Sequence, residues 1–253
     1  MEIPLFPLRT VLCPGVALPL HIFEPRYKLM VDRCLEDNSP FGVVYIRDGH
    51  EVGAGELSVA AIGSVATIRE AGRYPDGRFD LLVVGTGRFA IESVDTDREP
   101  YLTATVIELN DDVGDSERAA KLANRTMRRF VTYLRLLRPG EGETGEEIDV
   151  RVEVDAAEDA AEDAEEAAPI EGSEEPSGAR RRLLIPDDPT TLSYLLAGIV
   201  QIELPRRQAL LEAETTEERL ELIDRLLDRE LWLLRRRLRL FNPAADVATQ
   251  RRS

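Results

Sequence analysis

Residues 4–27 read Pro4-Leu5-Phe6-Pro7-Leu8-Arg9-Thr10-Val11-Leu12-Cys13-Pro14-Gly15-Val16-Ala17-Leu18-Pro19-Leu20-His21-Ile22-Phe23-Glu24-Pro25-Arg26-Tyr27. Two apolar runs, residues 3–8 and 16–23, flank the turn pair Pro14-Gly15, and Pro25 suits the first position of a helix, where its missing N–H costs nothing. The stretch therefore predicts a strand, a turn, a second strand and a helix start. Its prolines cannot donate to the ladder of a central strand, so both strands are expected at sheet edges or with bulges, as in a small sheet curling toward a barrel.

Working outward, Tyr27, Met30, Val31 and Leu35 recur about four apart, giving a helix that Asn38-Ser39-Pro40 stops. Residues 41–46 read as a buried strand and residues 48–55 as a polar, glycine-rich loop. Residues 63–70 and 79–93 make two strands joined across Tyr74-Pro75-Asp76-Gly77, which has turn chemistry at each position. Residues 101–109 make another. The first 110 residues are thus mostly β, with about six strands and one early helix. From Ser116 the period changes: Ala119, Ala123, Met127, Phe130, Leu134 and Leu137 form an apolar helix face, with Arg118, Lys121, Arg125 and Arg129 opposite. Asp188-Pro189, Pro205, and Thr215 with Glu218 mark the starts of three further helices, the last being residues 217–240 and a candidate for a capping box.

Between these helical regions the charge is concentrated. Residues 139–179 carry 16 acids and one arginine, while the other 212 residues hold 32 acids and 31 bases. All but one unit of the net charge of −16 therefore belongs to this one stretch, which has too little apolar surface to offset its ordering entropy and is expected to be disordered. Within it, residues 148–154 alternate as a strand would.

The words PLFPLRTVLCPG and LPLHIFEPRY closely resemble the opening of the N-terminal substrate-recognition domain of the Lon protease family. The match lies at Pro4, Leu5, Pro7, Leu8, Arg9, Pro14, Gly15, Pro19, Leu20, Ile22, Phe23, Glu24, Pro25, Arg26 and Tyr27. Residues 188–212 resemble the helical part of the same domain. The resemblance implies an α+β fold, a curled PUA-like β-rich part followed by a helical bundle, and a role in binding polypeptide. It also places the acidic stretch as an insertion in one domain spanning 1–253. That domain comprises a β-rich part (1–110), a helix (115–138), a disordered acidic insertion (139–182), C-terminal helices (183–242) and a tail (243–253).

Catalysis is not indicated. No G-x-x-x-x-G-K-[ST] phosphate loop occurs, and neither Lys28 nor Lys121 lies near a serine in a proteolytic motif, so neither the ATPase nor the protease of full-length Lon is expected. Gly85-Thr86-Gly87-Arg88-Phe89-Ala90 fits a dinucleotide fingerprint, but that site needs a helix after the glycines, and residues 90–94 continue as strand. A glycine bulge in a bent strand is the reading adopted. His21 and His50 lack a third partner, and Asp111-Asp112 and Asp187-Asp188 read as loop ends and caps. Cys13 and Cys34 show neither metal-ligand spacing nor a disulfide framework and read as buried thiols of a cytoplasmic protein. No cofactor, metal or membrane span is expected.

The expected partner is an unfolded polypeptide or another protein, met on apolar surface around Leu12, Phe23, Tyr27 and Tyr74. Glu24 and Arg26, at the strand-to-helix junction, read as a local cap or ion pair, with a polar contact at the groove as the functional alternative. The rival class is a nucleic-acid-binding module using the stripe on residues 118–129 with Arg180 to Arg182 and Arg235 to Arg237. Near-neutral charge outside the acidic stretch weighs against it. An adaptor docking on a separate ATPase or protease is a third reading.

Overall fold

The sheet is organised by one long strand of 17 residues, Phe79–Asp95. The computed structural model describes residues 1–48, 58–137, 149–151, 182–184 and 186–241. In chain order the elements are β1 (Glu2–Leu8), β2 (Ala17–Ile22), α1 (Pro25–Glu36), β3 (Phe41–Asp48), β4 (Ser58–Val59), β5 (Ile62–Arg73), β6 (Phe79–Asp95) and β7 (Thr103–Leu109). There follow α2 (Ser116–Leu137), β8 (Asp149–Arg151), β9 (Arg182–Leu184), α3 (Pro189–Ile199), α4 (Leu204–Glu212) and α5 (Thr216–Phe241).

Strands β1, β7, β6, β5 and β3 pair in that order, and β3 pairs back to β1, so the sheet closes into a small barrel. The prolines of β1 are accommodated by a stagger: Pro4 sits where only β7 is paired and Pro7 where only β3 is paired. That corrects the expectation of an edge strand for residues 3–8, because a strand paired over only part of its length on each side can still leave each proline one unpaired side. β2, carrying Pro19, pairs with β6 alone and is an edge as expected.

The glycines of β6 act as the bulge reading requires. The β5–β6 register slips between Val65 and Ala66, leaving Thr86 as the extra residue, and the strand runs on without a helix. A Cβ on Gly85 would stand 2.5 Å from the Cys13 carbonyl oxygen, so this position is held open for the backbone bridge between Pro14 and Gly85. Inside the barrel Phe89 is fully buried among Ile3, Leu5, Val44, Ala104 and Val106. A Cβ on Gly63 would lie 2.7 Å from its ring.

Helices α2 to α5 make the second layer. The buried face of α2 is Ala119, Leu122, Ala123, Thr126, Phe130 and Tyr133, rotated from the sequence expectation because Met127 and Leu134 lie on its margin. At the start of α5 the Thr215 hydroxyl accepts from Glu218 N, but the Glu218 carboxylate takes the Glu214 amide, one residue before the capping-box position.

A buried polar lock joins the layers. Arg88 of β6, 4% exposed, donates to the carbonyls of Leu211 (2.8 Å) and Ala213 (2.7 Å) and pairs with Asp111 at 2.9 Å. Arg219 of α5, fully buried, donates to Leu210 O, Ser193 Oγ and Ala213 O, and its guanidinium lies 3.9 Å from the Tyr194 ring. The Tyr194 hydroxyl donates to Asp111, closing the network.

Two differences from the sequence expectation remain. β4 is a two-residue strand next to residues 49–57, too short for a periodicity to show. Within 139–182, where disorder is expected, β8 and β9 form a short parallel ladder, Asp149 to Arg182 through Arg151 to Leu184. It covers part of the alternating stretch 148–154, whose residues 148 and 152–154 lie outside the described residues. The rest of 139–182, the tail 243–253 and His50 also lie outside them.

Candidate functional site

Beyond the ring, the first half of β6 carries β2 on one side and residues 67–73 of β5 on the other, making a three-stranded arm. Alternation divides the arm into two faces. Leu18, Leu20 and Ile22 with Phe79, Leu81 and Val83 point inward and pack with Tyr27, Met30, Val31 and Cys34 of α1. The outer face holds Ala17, Pro19 and His21 on β2 and Val84, Leu82 and Asp80 on β6, with Pro19 opposite Leu82 and His21 opposite Asp80. Among the described residues no strand pairs with the outer edge of β2.

At the end of this face is an aromatic group. Phe23, 59% exposed, stacks on His21 at 6.2 Å, and Tyr74, 41% exposed, meets His21 edge-on at 6.3 Å. Asp80 holds the group together: His21 Nδ1 lies 2.6 Å from one of its oxygens, and the Tyr74 hydroxyl donates to the other at 2.5 Å. The hydrogen bond from His21, then that from Tyr74, lowers the Asp80 pKa, and the same Tyr74–Asp80 bond is the main cause raising the phenol above its usual value. Arg78 stacks on Tyr74 at 5.3 Å and pairs with Asp76 at 2.7 Å.

Of the residues singled out in the sequence, Phe23 and Tyr74 come together here, joined through His21. Leu12 (2% exposed) and Tyr27 (5% exposed) do not reach the surface: both belong to the α1 cluster, where Tyr27 packs edge-on against Phe6 at 4.5 Å. Glu24 and Arg26 form a local ion pair at 2.9 Å, and the Arg26 guanidinium covers the Tyr27 ring at 4.5 Å. Glu24 is the N-cap residue of α1 by position, without a side-chain capping bond. His21 and Asp80 were missed as members of the group. The signal was present in the alternation Ala17, Pro19, His21 against Leu18, Leu20, Ile22, but the partner strand and its register cannot be read from that alternation alone.

The basic stripe of α2 has a different setting from the one a nucleic-acid reading needs. Arg118 pairs with Glu217 and Glu221, Arg125 with Asp224, and Arg129 with Asp224 and Asp228, so α5 supplies a carboxylate for each. Lys121 pairs with Glu117 on its own helix. Arg180 and Arg181 lie outside the described residues. Among the described residues no three metal-ligating side chains gather, and no helix is long and apolar enough to cross a membrane. Both cysteines are free and buried.

A closed barrel with a flanking β arm and a packed helical layer defines a class of α+β domain, and its family follows from the relatives it matches. Residues 2–229 match the family described as ATP-dependent protease La (LON) substrate-binding domain, and the chain belongs to that family. Lon protease 2 of Myxococcus xanthus is 24% identical over 92% of this chain and 24% of its own length. The Lon protease of Flavobacterium johnsoniae is 31% identical over 48% of this chain and 15% of its own. The chain thus spans about a quarter or less of these relatives. The crystal structure of a Lon N-terminal domain protein from Xanthomonas campestris superposes with a TM-score of 0.54 at 22% identity, covering 87% of this chain and 95% of that one. The N-terminal domain of Lon protease from the Mycobacterium avium complex gives 0.52 at 17%, covering 91% and 98%.

Proposed function

We propose that this chain is a non-catalytic, cytoplasmic Lon-type substrate-binding domain that captures extended polypeptide on the outer face and open edge of the β2–β6–β5 arm. The observation that carries this reading is the exposed Phe23–His21–Tyr74 group standing beside a strand edge that pairs with no strand among the described residues. An extended segment added to β2 satisfies the edge's backbone groups, while its alternate side chains meet Pro19, Leu82 and the aromatics. Exposed aromatics at one spot mark an interaction surface more strongly than scattered apolar residues do. Family membership supports the polypeptide as ligand. The acidic stretch is read as an insertion within this one unit, and adaptor work beside a separate ATPase or protease uses the same surface.

The test is an anisotropy titration with a labelled, permanently unfolded polypeptide, run beside single-stranded RNA at low and physiological salt. Polypeptide binding that survives salt is expected, and Phe23→Ala and Tyr74→Ala should each weaken it about tenfold, as hot-spot aromatics do. RNA binding that falls steeply with salt, with no polypeptide binding, would overturn the reading.

A further inference from the structure

The ion pairing between α2 and α5 stops before the seam ends. Arg118, Arg125 and Arg129 each meet acids of α5. Farther toward the C-terminal ends, Arg128, Arg235 and Arg236 are exposed, and among the described residues no carboxylate pairs with them. These arginines surround Trp232, which is 57% exposed and has the Arg236 guanidinium 5.3 Å over its ring. Between the helices here runs a groove of about 500 Å³ that includes Arg128, Thr132, Leu231, Trp232 and Arg235, with Asp228 on its wall already held by Arg129.

We infer that this groove docks an acidic segment of a partner protein, with an apolar side chain of that segment seated on Trp232 and its carboxylates on Arg128 and Arg235. Charge selects the occupant. A continuous phosphate backbone laid along the seam would meet Glu221 and Asp228, whereas an acidic polypeptide needs carboxylates only at Arg128 and Arg235. A tryptophan ringed by arginines also has the composition that concentrates binding energy at protein interfaces. The surface lies on α2 and α5, away from the β2–β6–β5 arm, so it does not depend on the polypeptide-capture reading.

Trp232 is the only tryptophan in the chain, which makes its emission a reporter of this groove in the intact protein. The probe is a synthetic peptide of glutamates spaced by leucines, with a control in which every glutamate is glutamine. The expected result is a saturable shift of Trp232 emission with the acidic peptide only. Arg128→Gln and Arg235→Gln should each weaken it about threefold, the usual size of an exposed charge pair, while Phe23→Ala leaves it unchanged. With a labelled peptide, Trp232→Phe should weaken binding without loss of fold by circular dichroism. Equal binding of the glutamine peptide, or tighter binding of single-stranded RNA, would overturn the proposal. So would a failure to respond to peptide combined with an emission shift driven by salt alone or by protein concentration alone, which would put the chain's own acids or a second copy in the groove.

Discussion

Cys13 sits at the point where the turn after β1 meets β6 and the helical layer, and it is completely buried. Burial favours the neutral thiol and pushes its pKa up to about 11, against a weaker opposing pull from Arg207 and Arg219. Because the folded pKa lies above the unfolded one, the thiol's contribution is fully present below about pH 9 and is lost as pH rises toward about 11. The unfolded thiol ionises first, so the loss in urea-unfolding stability over that range is on the order of 2–3 kcal/mol from this residue. Cys13→Ala should cost about 1 kcal/mol at neutral pH through lost packing but flatten the alkaline decline. An unchanged alkaline slope in that variant would assign the decline to other groups. The same burial predicts that Cys13 and Cys34 react with a thiol reagent only when the chain opens, so native labelling should stay slow even at pH 8.5.

At the scale of elements, the seam between α2 and α5 and the lock on β6 look alike as lists of ion pairs but differ in burial. Arg118 is more than half exposed, and its pairs with Glu217 and Glu221 are open to water, so Arg118→Ala should cost only about 0.5 kcal/mol. Arg88 is enclosed, and Arg88→Met would strip the Leu211 carbonyl of its side-chain donor, leave the Ala213 carbonyl with Arg219 alone and break the close ion pair with Asp111, a loss of about 3–5 kcal/mol. Urea unfolding of the two variants separates these cases, and similar losses for both would sink the distinction. Which elements exist was legible from the chain: turn chemistry set the Tyr74–Gly77 hairpin, Asp188 capped α3 through the Thr191 amide, and period 3.6 gave α2 and α5. What the elements do to one another was less so. The stripe on α2 reads as a solvated or nucleic-acid face because the acids that neutralise it are about 100 residues away, on α5. Leu12 reads as a surface candidate because its turn position says nothing of α1 folding over it, whereas Phe23 is left outside because it follows the last paired residue of β2.

For the whole molecule, the question is whether the barrel with its arm and the helical layer fold as one unit. Apolar packing is divided into a helical cluster, an α1 cluster and a barrel interior, which alone would permit separate unfolding. Two features oppose that. Val16 packs against both the helical and the α1 clusters, and Arg88 reaches from β6 to the carbonyls that end α4. Most helical residues lie in α2 to α5, so ellipticity at 222 nm follows chiefly the helical layer, while trapping of Cys34, in α1, follows the arm side. If the lock couples the layers, the two probes should give the same urea midpoint, the mark of a single cooperative transition. In Arg88→Met the bridge is gone and the two curves should separate, with the less enclosed arm side opening first. Coincident curves in that variant would mean that apolar contact at Val16 and Cys13 is enough to couple the layers, and that the buried arginine fixes how they dock without deciding whether they unfold together.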